Sequence, residues 1–324
     1  MGTPAGIGGE LTLAAWLARR ASGPVFFAID DPARLVRLAA RLGLDTPIVE
    51  ATPETAAKVF GRALPVLPMA LAGEVHPGAP DPAHAKPAIA SIETATQLAM
   101  AGRIGGFVTN PVYKRSLYDA GFAYPGQTEF VGALSDPAAQ PIMLLAGPQL
   151  RVVPLTTHMP LRQAIDAVST EAIVRLATAL AAALTRDFGF DPARIAVAGL
   201  NPHAGEEGKM GREDIDLIQP AVEALRQAGI MATGPFSPDS MFHEAARAGY
   251  DAALCMYHDQ ALIPLKTLDF YSGVNVTLGL PVVRTSPDHG TAFDIAGRGI
   301  ADPSSFLAAL DLAAAIAARR RRAR

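Results

Sequence analysis

The residues in this chain best suited to chemistry are histidines that follow apolar runs. Residues 150–155 lead into Thr156-Thr157-His158, residues 194–198 into Gly199-Leu200-Asn201-Pro202-His203, and residues 252–256 into Tyr257-His258-Asp259. If each run is a strand of a parallel sheet, the three side chains arrive at the carboxyl edge, where such sheets bind ligands. Three protein ligands with an open further position are the catalytic arrangement for a divalent metal. The intervals of 45 and 55 residues exclude a short metal-finger spacing, so on spacing alone separate hydrogen-bonding histidines are the competing reading. Asp259 follows His258 directly and can orient a ligand ring or take a proton.

A second group is cationic and polar. Lys266, Asn275 and Arg284 lie downstream of His258. Arg and Lys together suit a phosphate or carboxylate, one as a planar fork and the other as a point charge. Thr109-Asn110-Pro111-Val112-Tyr113-Lys114 ends another apolar run, and Gly126-Gln127-Thr128-Glu129-Phe130 follows. Thr128 at a helix start can present a hydroxyl and a backbone N–H to an anion, or act as a plain cap. Residues 288–297 (DHGTAFDIAG) form a polar loop of small residues that permits close backbone approach to a ligand. GTPAGIGGE lacks the spacing of a dinucleotide fingerprint, so an ordinary Rossmann site is not supported.

These groups need a scaffold. Apolar runs at 25–29, 107–110, 142–146, 152–156, 195–198, 252–256 and 282–285 read as strands. Helical patterns cover 11–20, 32–42, 92–102, 170–186, 215–227 and 304–318. The alternation predicts an α/β fold with a mostly parallel sheet. Residues 275–278 followed by Gly279 read as an antiparallel turn or arm. The Pro- and His-rich stretch 75–87, with His76 and His84, reads as a surface loop. The glycine-rich start, residues 1–9, opens directly onto a helix, where a strand ordinarily precedes such a turn. Translation beginning upstream, or tolerance of the missing strand, would account for it.

Composition narrows the class. The chain has 324 residues, half of them hydrophobic and 18% charged, enough for a large core and a length suited to two domains. A formal charge of -3 gives no basic surplus for nucleic acid. One cysteine, Cys255, excludes an intrachain disulfide and restricts metal ligands largely to His and carboxylates; its apolar flanks read as a buried strand. No run is apolar enough for a membrane span and no signal peptide is evident, so a cytoplasmic protein is expected. The basic end, residues 319–324, reads as a helix end extending into solvent.

Seven segments in order resemble the 4-hydroxythreonine-4-phosphate dehydrogenase (PdxA) family. They are residues 2–8, 109–114, 120–122 with 125–130, 156–160, 201–205, 257–266 and 289–299. The resemblance implies two α/β/α domains around a cleft, as in isocitrate and isopropylmalate dehydrogenases, one formed by 1–125 plus 286–324 and the other by 126–285. It implies NAD- or NADP-dependent oxidation of 4-phosphooxy-L-threonine, with zinc, magnesium or cobalt held by His158, His203 and His258. Gln127, Thr128, Lys266, Asn275 and Arg284 match substrate-binding positions. Asp239 matches an acidic active-site position, and Asp259, Asp239 and Lys114 are the candidate bases. His289, Gly290, Thr291, Ala292 and Asp294 match the nucleotide loop of the wider dehydrogenase group. A homodimer sharing its active sites is also implied.

Two positions depart from the family pattern: Thr3 stands where Asp is usual, and Gln127 where His is usual. The second removes a potential charge beside the substrate anion, although Gln still donates and accepts hydrogen bonds. A sister dehydrogenase acting on 4-phosphothreonate, 4-phosphoerythronate or another diol is the alternative. A metal-dependent hydrolase or lyase using the same histidines is a second, which the 288–297 loop disfavours.

Overall fold

A computed structural model describes residues 1–323 and divides the chain into two compact units. One comprises Met1–Pro141 with Leu280–Ala317, the other Ile142–Gly279 with the end of the chain from Ala318. The seams between the units lie at 141/142 and 279/280, where the expected domain bounds were 125/126 and 285/286. The physical reason is packing. Phe130 and Val131 on the helix Gln127–Ser135, together with Leu280 and Val282, join a core with Phe107, Leu117 and Phe122 in the first unit.

In the second unit, six strands neighbour one another in the order Val274–Leu278, Ile142–Ala146, Arg151–Pro154, Ala252–Cys255, Arg194–Ala198, Met231–Phe236. The last four pair in parallel, whereas Ile142–Ala146 runs antiparallel to both its neighbours. The sequence explains the difference. AALC of Ala252–Cys255 is buried along its length between parallel neighbours, as continuous apolar runs in parallel sheets are. The antiparallel arm anticipated at 275–278 pairs Asn275 opposite Leu145 and leaves through Gly279, whose φ of 80° suits glycine. Helix Thr170–Ala183 starts where the Ser169 side chain accepts from Ala172 N–H at 3.2 Å. Cys255 packs with Leu145, Val152, Ala253 and Leu265, and burial pushes its thiol up, which leaves it inert.

The first unit holds a parallel three-stranded sheet, Ala28–Asp30, Leu64–Pro68, Ile48–Glu50, and a separate parallel pairing of Phe107–Val108 with Arg284–Pro287. Helix Gly8–Arg19 buries Leu13 and Trp16 against Leu35, Phe60, Leu64 and Val66, and Trp16 Nε1 donates to the Phe60 carbonyl at 2.8 Å.

Several expectations are corrected. Ile48–Glu50, Leu64–Pro68 and Met231–Phe236 are strands that prolines in or beside them had disguised. His258–Asp269 is a helix despite Pro264, so His258 opens a helix and does not lie in a loop. His84 is not on a surface loop: it is buried, with Nε2 2.9 Å from the Ala72 carbonyl, next to the start of helix Ala85–Met100. The terminal arginines are not all solvated either. Arg320 meets the buried carboxylate of Asp187 at 2.7 Å. Burial pushes that carboxyl up, but the bonds from Arg186 and Arg320 outweigh it and hold it low. Among the described residues no helix is long and apolar enough to cross a membrane.

Candidate active site

In the first unit, polar residues gather around Arg284, the first residue of its strand. Arg284 is only 4% exposed. Its Nε and one terminal nitrogen donate to Thr109 Oγ1 at 3.0 and 2.6 Å, and its terminal nitrogens also reach Gln127 Oε1 at 3.2 Å and Thr128 Oγ1 at 3.4 Å. Gln127 Nε2 in turn donates to the Asn110 carbonyl at 3.2 Å. These neutral oxygens fix the plane of the guanidinium fork. Burial lowers the Arg284 pKa to about 10, with Glu129 pulling it back up, so the side chain remains a cation at neutral pH. Thr128 lies inside the first turn of helix Gln127–Ser135, whose cap is Gly126, so it is not a plain cap.

In the second unit, the histidines ending Arg151–Pro154 and opening His258–Asp269 come together. The rings of His158 and His258 lie 5.8 Å apart, centroid to centroid. With metal–nitrogen bonds of about 2 Å, two imidazoles sharing one ion have centroids about 5 to 6 Å apart, so this pair fits a divalent metal. Both line a cavity of about 460 Å³ with Thr157, Met159, Leu161, Tyr257 and Asp259. His258 Nδ1 lies 2.7 Å from Asp259 Oδ1, which fixes the ring and leaves Nε2 to bind. His203 is exposed in its own turn after Arg194–Ala198 and does not join the pair. Among the described residues, no group of three or more His, Cys, Asp or Glu side chains could hold a metal.

A family model described as pyridoxal phosphate biosynthetic protein PdxA matches residues 24–313. The chain belongs to the PdxA family. It is 52% identical to the 4-hydroxythreonine-4-phosphate dehydrogenase of Caulobacter vibrioides, over 98% of this chain and 96% of that protein. It is also 52% identical to the enzyme of that name from Erythrobacter litoralis, over 99% and 96%. The crystal structure of the Klebsiella pneumoniae 4-hydroxythreonine-4-phosphate dehydrogenase superimposes with a TM-score of 0.86 at 37% identity, covering 98% of both chains.

The remaining residues to which the PdxA resemblance pointed are distributed as follows. Lys114, exposed at a helix start, and the loop of His289, Gly290, Thr291, Ala292 and Asp294 lie in the first unit. The loop is tied down: the Thr291 carbonyl accepts from Ile7 N–H at 3.1 Å, and Phe293 meets Tyr113 edge-on. His289 Nδ1 sits 3.0 Å from the Gly290 carbonyl, while its Nε2 is buried without a partner. Lys266, Asn275 and Asp239 lie in the second unit. The Lys266 ammonium stands 5.9 Å over the Phe270 ring, the Asn275 Oδ1 is buried without a partner, and Asp239 Oδ1 accepts from Ser237 Oγ at 2.6 Å.

Sequence reading missed Thr109 and Glu10, which hold Arg284 and the small-residue loop in place. Thr109 follows an apolar run, but nothing local says that its hydroxyl accepts from Arg284, 175 residues away. Glu10 is buried in the first turn of its helix, and its carboxylate accepts from the backbone N–H groups of Gly297 and, at 3.0 Å, Gly299. It fixes the far end of the small-residue loop. An acidic residue immediately after a glycine turn was the available signal.

Proposed function

We propose that this chain oxidises 4-phosphooxy-L-threonine with NAD or NADP to 2-amino-3-oxo-4-phosphooxybutanoate, which loses carbon dioxide to give 3-amino-2-oxopropyl phosphate. The observation that carries this reading is the buried Arg284 oriented by Thr109, Thr128 and Gln127 in a chain of the PdxA family. A preset guanidinium fork binds a phosphate or carboxylate oxygen pair with little loss of side-chain entropy. Lys266 and Asn275 are assigned to the same substrate, the first by charge and the second by its unpaired acceptor, which suits an N–H or O–H donor.

His158, His203 and His258 are assigned to one divalent ion, of zinc, magnesium or cobalt. When bound, such an ion polarises a substrate hydroxyl and lowers its pKa. One chain brings His158 and His258 together; we assign the third imidazole to His203 of a second copy in a homodimer. The exposed apolar side chains Met159, Leu161 and Ile165 beside the pair, and Ile263 on the His258 helix, suit coverage by that copy. Asp259 orients His258, which leaves Asp239 and Lys114 as candidates to take the hydroxyl proton. The loop from His289 to Asp294 is assigned to the nicotinamide cofactor, which accepts the hydride. A cytoplasmic location accords with these assignments.

The test is direct. Purified protein, divalent metal, NAD+ or NADP+ and 4-phosphooxy-L-threonine should together raise absorbance at the reduced-nicotinamide band. Turnover on 4-phosphothreonate with none on 4-phosphooxy-L-threonine would sink the substrate assignment.

A further inference from the structure

The backbone that carries His203 is unusual. Five consecutive residues, His203, Ala204, Gly205, Glu206 and Glu207, have φ between 42° and 82°. Four are not glycine. Left-handed backbone at such residues is disfavoured because Cβ crowds the following carbonyl oxygen, and a run of them persists only when surrounding structure over-determines it.

Part of what over-determines it here is one carboxylate, acting beside the backbone bonds from Ala204 N–H to the Asn201 carbonyl and from Met210 N–H to the Gly205 carbonyl, both 3.1 Å. Asp214 is 1% exposed, at the start of a π-helical turn, Asp214–Ile218. Its Oδ1 accepts from Leu200 N–H at 2.8 Å. Its Oδ2 accepts from Asn201 N–H at 3.1 Å and from the Asn201 side-chain amide at 3.0 Å. The same amide donates to Glu213 Oε2 at 2.8 Å. The chain is therefore gripped at the two residues immediately before Pro202-His203. The approach is close: a Cβ at Gly199 would lie 2.7 Å from Asp214 Oδ1, and one at Gly205 would lie 2.9 Å from the Gly211 carbonyl and 3.4 Å from Asp214 Oδ2. Asp214 thus bonds the entrance of the left-handed turn and leaves no room for a side chain at Gly199, while its carboxylate lies beside the middle of the turn at Gly205.

We infer that Asp214 is a positioning residue for metal binding: it holds the left-handed turn that presents His203, with Asn201 as its partner. The inference rests on the assignment of His203 as a metal ligand. It adds that the ligand is pre-placed by a buried carboxylate outside the ligand set. Buried carboxyl groups are costly unless hydrogen-bonded, and this one has its backbone and side-chain donors already in place. Asp214 supplies one oxygen to the Leu200 N–H and the other to the Asn201 N–H.

The test uses full-length protein stripped by chelation and reloaded with Co2+, whose visible absorption reports ligand geometry. Four proteins are compared: wild type, His203→Ala, Asp214→Ala and the double variant. Asp214→Ala should raise the Co2+ dissociation constant about 10- to 100-fold and alter the cobalt spectrum, as loss of an orienting partner does. In the double variant Asp214→Ala should add little to the His203→Ala loss, because it acts through that side chain. A folded Asp214→Ala protein with lowered Tm but unchanged Co2+ affinity and spectrum would overturn the inference alone; so would full additivity. If His203→Ala itself leaves Co2+ binding unchanged, the ligand assignment falls and the inference with it. Should Asp214→Ala not fold, Asp214→Asn takes its place. It keeps an acceptor for Leu200 and turns an amide toward the two Asn201 donors. The same non-additive loss is expected, and unchanged affinity again overturns the inference.

Discussion

Arg284 is buried and bonded to Thr109, Thr128 and Gln127 within one unit of one chain, whereas His158 and His258 stand beside an open cavity with His203 apart from them. The first region is preassembled. Its cation is desolvated, oriented and held by neutral oxygens before any ligand arrives. The second is, in our proposal, a half-site: two rings stand at a spacing suited to a shared ion, and His203 is presented separately on a gripped turn. An anion needs only one fork and a hydroxyl or two, which neighbouring elements of a single unit can supply. A catalytic metal needs three ligands from three strand ends.

Four measurements test that contrast. The largest effect is expected for His258→Ala. A metal acting as Lewis acid is worth several kcal/mol, so kcat should fall roughly 10³-fold or more, with Tm little changed. Retention of wild-type kcat would remove the metal assignment and with it the half-site.

Arg284→Met comes next. KM for the phosphorylated substrate should rise about 100-fold, because charge-assisted bonds contribute about 2 to 3 kcal/mol. Stability should move the other way. Burial lowers the Arg284 pKa to about 10 from 12.5, so charging it costs the fold stability at every pH below about 10. That cost fades only as pH rises from there toward 12.5. The variant's Tm at pH 7 should therefore be no lower than wild type; a large drop would mean that Arg284 serves the fold and not the ligand.

Thr109→Val removes the hydroxyl that accepts twice from Arg284 while keeping the side-chain shape. A loss of about tenfold in substrate affinity is expected, with kcat within about twofold, since one charged hydrogen bond contributes about 1.5 kcal/mol or more. A fall in kcat with constant KM would place Thr109 in the chemistry and not in the orientation of the fork.

Gln127→His should have the smallest effect. It restores an ionisable ring beside Arg284, and binding of the phosphorylated substrate should tighten about threefold below pH about 6.5 and not above it. An unchanged pH profile would show that position 127 does not face the anion.

Much of this was readable before the structure. The α/β alternation, the strands read at 142–146 and 252–256, and the helix starts at Pro32 and Thr170 followed from apolar runs and helical patterns. Positions whose local sequence misleads were read wrongly. Prolines hid Met231–Phe236 and Leu64–Pro68, and the helix at His258 was obscured because its polar start looks like a loop. The Pro-rich stretch made His84 look exposed, although its ring fills a buried position.

By itself, the sequence determined the residue types and their order. It placed a histidine after each of three apolar runs, a cation downstream, and seven segments resembling one family. Those are properties of short stretches, set by periodicity and composition. Only the tertiary structure decided which side chains meet. Thr109 reaches Arg284 across 175 residues, and Asp214 turns back to grip the residues before His203. Two of the three histidines adjoin while the third does not. Such contacts depend on how strands neighbour one another and how loops are held, and a buried carboxylate or guanidinium takes its role from the donors and acceptors that packing brings to it.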